Sequence, residues 1–147
     1  AYNRFFSEEM LPYVEQNYSV RTHEEERIVA GDSLGGTVSL HLALNYPHLF
    51  QNVLSLSGAF YSLTQEQIKK EKDLSWLNIF MLIGTQEDRA ETPIGVFDFL
   101  TMNRESRSLL EDRQAQVQYV EKDGKHLWGF WQNELPDAIN YFLGTAP

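Results

Sequence analysis

One stretch, Arg27-Ile28-Val29-Ala30-Gly31-Asp32-Ser33-Leu34-Gly35-Gly36, constrains this chain most, because a short apolar run breaks there into a helical pattern with a serine at the break. Arg27 to Ala30 follows the charged run His23 to Glu26 and has the length and apolarity of a buried parallel strand. Downstream, Leu34, Val38 and Leu42, with Leu40 and Leu44 beside them, recur at helical spacing until Pro47 stops the pattern beyond Tyr46. A serine at so sharp a strand-to-helix turn sits in strained backbone, and side chains two residues before and after it are expected to collide. Glycine at positions 31 and 35 is read as removing that clash, so that the Ser33 hydroxyl projects above the carboxyl edge of a sheet.

The rest of the chain alternates helical and strand patterns. Phe5, Phe6, Met10, Leu11 and Val14 fall on one face of a helix from Tyr2 to Tyr18, with a bend expected at Pro12. Asn52 to Ser57 reads as a second strand closed by Gly58, Gln65 to Lys72 as a short polar helix, and Asn78 to Ile83 as a third strand, buried on both faces and ending at Gly84. Thr92-Pro93 reads as an N-cap with proline in the first helical turn, and Ile94, Val96, Phe97 and Leu100 as the packed face of a helix that continues through Leu109 and Leu110 with a break near Asn103. Gln116 to Val120 alternates like a fourth strand near a sheet edge, and a last helix runs from about Leu127 to Leu143. This order predicts an α/β fold, a three-layer sandwich with a mainly parallel sheet.

A chain of 147 residues is one ordinary domain, and no repeat, low-complexity tract or linker divides residues 1–147. The formal charge of −9 and a pI near 4.8 disfavour nucleic acid and anionic membrane as partners, because both are repelled. Cysteine is absent, which removes disulfide and cysteine–metal frameworks without assigning a compartment. No run is apolar enough to span a bilayer, and Ala1-Tyr2-Asn3-Arg4 lacks the apolar core of a signal peptide.

In a parallel sheet, ligands bind beyond the carboxyl ends of the strands. Three polar loops gather there: Ser33 after the first strand, Gln86-Glu87-Asp88 after the third, and Asp123-Gly124-Lys125-His126 after the fourth. A serine hydroxyl needs a base to take its proton, and an imidazole needs a carboxylate behind it to fix its tautomer. Ser33 is therefore the candidate nucleophile and His126 the base. His41 falls inside a helix, His48 in a turn and His23 in a charged loop. Glu87 and Asp88 both remain candidates for the acid, with the spacing of three from Gly84 placing Glu87 ahead. The backbone N–H of Leu34, at a helix start, is the expected oxyanion donor. A second donor is expected from a loop after an earlier strand, and the sequence contains no such strand. Phe60, Tyr61 and Trp128, with Trp131, are the aromatic candidates for lining a substrate site. No metal site is expected.

Glu9-Met10-Leu11-Pro12-Tyr13-Val14-Glu15, Ala30 to Gly36, Tyr46-Pro47 followed by Phe50, Ser55 to Phe60, Gly84 to Asp88, and Asp123 to His126 followed by Trp128 and Trp131 occur in that order. In this combination the chain resembles the esterase family of α/β-hydrolases that includes esterase D, enterochelin esterase and feruloyl esterase modules. The resemblance implies carboxylic-ester hydrolysis through an acyl-serine intermediate, with Ser33 as nucleophile, His126 as base, Glu87 or Asp88 as acid, a small-molecule ester as substrate and no cofactor. The same residues serve acyl transfer to an alcohol, and a non-catalytic binding fragment of the fold is the alternative of another class. Only the second half of the family's larger sheet is matched. The chain is thus expected to be a fragment or one piece of an assembly, with the Arg27 to Ala30 strand as an unpaired edge prone to self-association.

Overall fold

The computed structural model describes residues 1–144. Its centre is a four-stranded parallel sheet formed by β1 (Ile28–Asp32), β2 (Asn52–Leu56), β3 (Asn78–Gly84) and β6 (Gln116–Lys122), in the order β1-β2-β3-β6. The register runs straight across, with Val29 beside Val53, Val53 beside Ile79 and Ile79 beside Val117. Because strand side chains alternate between faces, Val29, Val53, Ile79, Met81, Val117 and Tyr119 share one core with Leu40, Leu42 and Leu44 of α3 (Leu34–Asn45) and Leu110 of α5 (Phe99–Glu111). Their neighbours Leu54, Leu56, Phe80 and Leu82 face the other way and bury Trp131 and Ala138 of α6 (Trp128–Leu143). The two cores on opposite faces make the predicted three layers.

Three outer helices depart from their expected form or bounds. The first runs as α1 (Tyr2–Phe5), a π-helical turn (Phe6–Met10) and α2 (Leu11–Asn17). Pro12 cannot donate to the carbonyl four residues back and its ring crowds that carbonyl, so the wider turn precedes it. The polar helix predicted at Gln65 to Lys72 is α4 (Ser62–Lys70). The predicted helix start at Thr92-Pro93 is instead the tip of a hairpin, β4 (Ala90–Thr92) and β5 (Gly95–Phe97). The Thr92 hydroxyl donates to the Gly95 carbonyl at 2.9 Å and accepts from the Ile94 N–H at 3.3 Å, so it closes a turn and caps no helix. Gly95, at φ 143°, takes a backbone that other residues rarely adopt. Ile94 and Val96, expected on a packed face, are exposed. The helix begins at Phe99, where Asp98 accepts from the Thr101 N–H at 2.8 Å as the true N-cap. It passes through Asn103 without a break, because that buried side chain spends its N–H groups on the Phe99 and Gly58 carbonyls at 2.9 and 2.8 Å.

All four strands point the same way, so their carboxyl ends, and the loops carrying Ser33, Glu87 and His126, lie along one edge of the sheet. β6 ends the sheet on one side and β1 on the other. The open side of β1 continues into an apolar cleft of about 300 Å³ lined by Tyr2, Phe6, Leu34, Val38 and Leu42. An unpaired strand beside apolar surface favours association. Sedimentation over a concentration series is expected to show mass-action self-association that Ala30→Lys weakens by charging the exposed edge position. A single monomeric species throughout, with amide-exchange protection along both sides of β1, would contradict this.

Candidate active site

Ser33 is placed by main-chain bonds before its side chain does anything. Its N–H donates to the Leu56 carbonyl at 2.9 Å, one ladder step beyond β1, and its own carbonyl accepts from the Ala59 N–H at 3.0 Å. Between these anchors the chain reverses into α3 with Ser33 at φ 50° and ψ −118°, a strained backbone for a residue with a side chain. Gly31 makes the turn sterically possible: a Cβ there would lie 2.3 Å from the Gly35 carbonyl carbon. Gly35 does not serve that purpose. A Cβ at position 35 would meet nothing within 4 Å, because it faces the open cleft beside β1.

The acid loop is built as tightly. The Glu87 N–H donates to the Gly84 carbonyl at 3.2 Å, and the Gly84 N–H returns a bond to Glu87 Oε1 at 2.9 Å. At the start of α5, the Phe99 and Leu100 N–H groups donate to the Glu87 carbonyl at 3.0 and 3.3 Å. The loop is tied to the His126 loop through Gln86, whose N–H reaches the Gly124 carbonyl at 3.0 Å and whose side chain donates to Asp123 at 2.6 Å.

Three loops thereby bring three side chains into line. His126 Nε2 lies 2.8 Å from Ser33 Oγ, and His126 Nδ1 lies 2.7 Å from Glu87 Oε2. A carboxylate only accepts, which puts the proton on Nδ1 and leaves Nε2 to accept from the serine hydroxyl. The imidazole is also gripped by rings: Phe99 stacks on it at 4.5 Å between centroids, and Trp131 stands at 90° to it at 4.9 Å. Glu87 is 0% exposed, whereas its neighbour Asp88 is exposed and outside this array. Of the two acids left open by the sequence, Glu87 is the one this geometry places against His126. As the first residue of α3, Leu34 has its N–H outside the intrahelical ladder, beside the serine and at the positive end of the helix dipole.

A cleft of about 390 Å³ opens over Ser33 and His126, walled by Leu34, Tyr61, Phe99 and the hairpin residues Glu91, Thr92, Pro93 and Ile94. Of the aromatic candidates, Tyr61 lines it. Phe60 does not: it is fully buried in the core under α3 and α4. Trp128 is largely exposed, packed against Trp131 and outside the cleft wall. Trp131 is buried, its indole N–H donating to Ser57 Oγ at 2.8 Å. The hairpin wall, Phe99 and Ser57 were not legible as site residues, since Pro93 and Ile94 read as helix and Ser57 as a strand end. His41 lies between α3 and α4, 3.0 Å from Thr64 Oγ1, and burial pushes its pKa below the usual histidine value. Among the described residues, no group of three acidic, histidine or cysteine side chains is placed to hold a metal ion, and no helix is long and apolar enough to cross a membrane.

The family model described as "Putative esterase" matches residues 1–142. The chain belongs to this esterase family. It is 35% identical over 144 residues to protein YjcH of Bacillus subtilis (strain 168), an alignment covering 97% of this chain and 60% of that protein. Among solved structures it is similar to a ferulic acid esterase, with a TM-score of 0.81 and 20% identity over 96% of this chain and 60% of the other. It is also similar to the enterochelin esterase of Shigella flexneri, with a TM-score of 0.79 and 23% identity over 92% of this chain and 35% of the other. The likeness to these esterases shows that the fold is shared. The chain spans about 60% of the length of YjcH, so the comparison speaks for a part of such a protein.

The two glycines of the turn separate in their expected effects. Gly31→Ala is expected to destabilise by roughly 1–3 kcal/mol, because a backbone contact has to give way. Gly35→Ala is expected to be neutral or to stabilise by up to ~1 kcal/mol, as alanine replaces glycine within a helix. Urea unfolding of both variants checks the contrast.

Proposed function

We propose that this chain carries the reacting groups of a serine carboxylic-ester hydrolase that works through an acyl-serine intermediate. The observation that carries the reading is the unbroken array Ser33–His126–Glu87, with 2.8 and 2.7 Å contacts and the carboxylate wholly withdrawn from solvent. On this reading Ser33 Oγ attacks the ester carbonyl as its proton passes to His126 Nε2, and Glu87 stabilises the imidazolium through Nδ1–H. The oxyanion forms beside the Leu34 N–H. His126 then returns the proton to the departing alkoxide, and water repeats the sequence on the acyl-serine. No step calls for a metal or an organic cofactor. The family match supports ester hydrolysis as the class of reaction.

For the substrate we infer an ester whose acyl portion is flat and largely apolar. Leu34, Tyr61, Ile94 and Phe99 offer such a group apolar and aromatic surface within reach of Ser33. A ferulic acid esterase of the same fold is named for an aromatic acid, which supports this choice. The Leu34 N–H is one donor, and losing a single oxyanion donor typically costs about 3–4 kcal/mol of transition-state stabilisation. Slow acylation is therefore expected of this chain, and full turnover only where a second donor is supplied.

Treatment with a fluorophosphonate followed by peptide mass spectrometry is expected to place one adduct on Ser33, absent in Ser33→Ala; no adduct under conditions that label a control esterase would overturn the reading. Glu87→Gln should slow labelling by about 10⁴-fold, as when a triad acid loses its charge. Asp88→Asn should leave the rate within about 2-fold, given that exposed substitutions away from a site change little.

A further inference from the structure

Ser57 ends β2 as Ser33 ends β1. Asp32 pairs with Leu56, so the next two residues stand side by side at the carboxyl edge, and both have φ of 50°. Strain of this kind on a residue with a side chain persists only where its surroundings over-determine it. At Ser33 the turn aims the hydroxyl at His126. At Ser57 it aims a fully buried hydroxyl at Glu87, with Oγ 2.6 Å from Glu87 Oε1 and 2.8 Å from Trp131 Nε1.

Donor and acceptor roles are fixed by chemistry. An indole N–H only donates and a carboxylate only accepts, so the Ser57 hydroxyl receives from Trp131 and gives its own proton to Glu87. Glu87 Oε1 also accepts from the Gly84 N–H at 2.9 Å, which leaves Oε2 for His126 Nδ1 at 2.7 Å. Hydrogen bonds thus converge on Glu87 from both ends of one array: Trp131 to Ser57 to Glu87 on one side, Ser33 and His126 on the other. Trp131 closes the loop by also packing edge-on to the His126 ring. The terminal torsion of a glutamate is broad and roughly two-fold, so burial alone does not set the plane of its carboxylate. Two donors on Oε1 do.

We propose that Ser57 and Trp131 are positioning residues: Ser57 orients the Glu87 carboxylate toward His126, and Trp131 fixes which way the Ser57 hydroxyl points. The proposal rests on the reading of Ser33, His126 and Glu87 as the reacting groups. Neither residue reaches the cleft over Ser33, so both act through Glu87.

Ser57→Gly is the informative variant, because glycine adopts φ 50° without strain and the hydroxymethyl group, with the hydrogen bonds it carries, is removed. With p-nitrophenyl acetate as probe, kcat is expected to fall by about 100-fold, the cost typical of a small misplacement in a reacting array, at unchanged KM. Trp131→Phe should lower kcat in the same direction. In a Glu87→Gln background Ser57→Gly should cost nothing further, since a residue acting through Glu87 has nothing left to orient. The proton NMR resonance of the hydrogen-bonded His126 Nδ1–H, recorded on the same proteins, should be present in the wild type and lost or moved upfield in Ser57→Gly. Wild-type kcat in Ser57→Gly, an equal fractional loss in the Glu87→Gln background, or an unmoved Nδ1–H resonance would overturn the proposal. If the wild type neither hydrolyses the probe nor takes up fluorophosphonate, the reading of Ser33 fails, and the resonance alone then decides the role of Ser57.

Discussion

Glu87 is the point on which the other parts of the site depend. Taking a carboxylate out of water costs several kcal/mol even after relaxation, so it is tolerated only where its oxygens are met by well-placed donors. The donors here come from three places: Ser57 at the end of β2, Gly84 at the end of β3, and His126 in the loop after β6. Their convergence requires the parallel register of those strands, with Leu56 beside Leu82 and Gly84 beside Lys122. A slip of one residue would turn Ser57 to the other face and leave the carboxylate short of a partner. Fold and site are thus coupled through one side chain, and the hydrogen bonds that orient the imidazole also make the buried charge tolerable.

The strands and their direction could be read from apolar runs bounded by polar loops, because a sheet buried on both faces leaves that pattern and little else does. Ser33 and His126 could be placed at the carboxyl edge from the strand pattern, Ser33 directly after β1 and His126 in the loop beyond the alternating β6. What could not be read depends on contacts distant in sequence. The spacing from Gly84 puts Glu87 ahead of Asp88 without separating them, and only Glu87 is met by the Ser57 hydroxyl, thirty residues upstream. Gly35 looks like the steric counterpart of Gly31, yet only Gly31 has backbone against the position of its missing Cβ. Thr92-Pro93 carries the composition of a helix start, but a threonine hydroxyl can close a turn equally well, and Gly95 with its positive φ decides for the hairpin. Phe60 and Tyr61 are adjacent aromatics after the same strand. One fills the core and the other faces the cleft, a distinction set by a turn no propensity predicts.

The sheet is closed chemically at the acid and histidine loops and open structurally at β1. Every contact that orients Ser33, His126 and Glu87 comes from the side of the sheet running from β1 toward β6, so the array forms without anything on the free side of β1. The apolar cleft there and the exposed edge of β1 take no part in those contacts. This division is consistent with a chain that spans about 60% of the length of its relative YjcH. On the proposed mechanism it also separates two properties: forming an acyl-serine at Ser33, and turning over efficiently, which would call for more donors than Leu34 alone.

The most direct measurement is a rapid acid quench of the chain mixed with p-nitrophenyl acetate, followed by intact-mass and peptide analysis. Ser33 held against His126 by a buried Glu87 predicts a single added acetyl group on the peptide containing Ser33, formed at least as fast as nitrophenol is released and absent in Ser33→Ala. Release of nitrophenol with no acetyl on Ser33, or with the acetyl carried elsewhere at the same rate in Ser33→Ala, would contradict it.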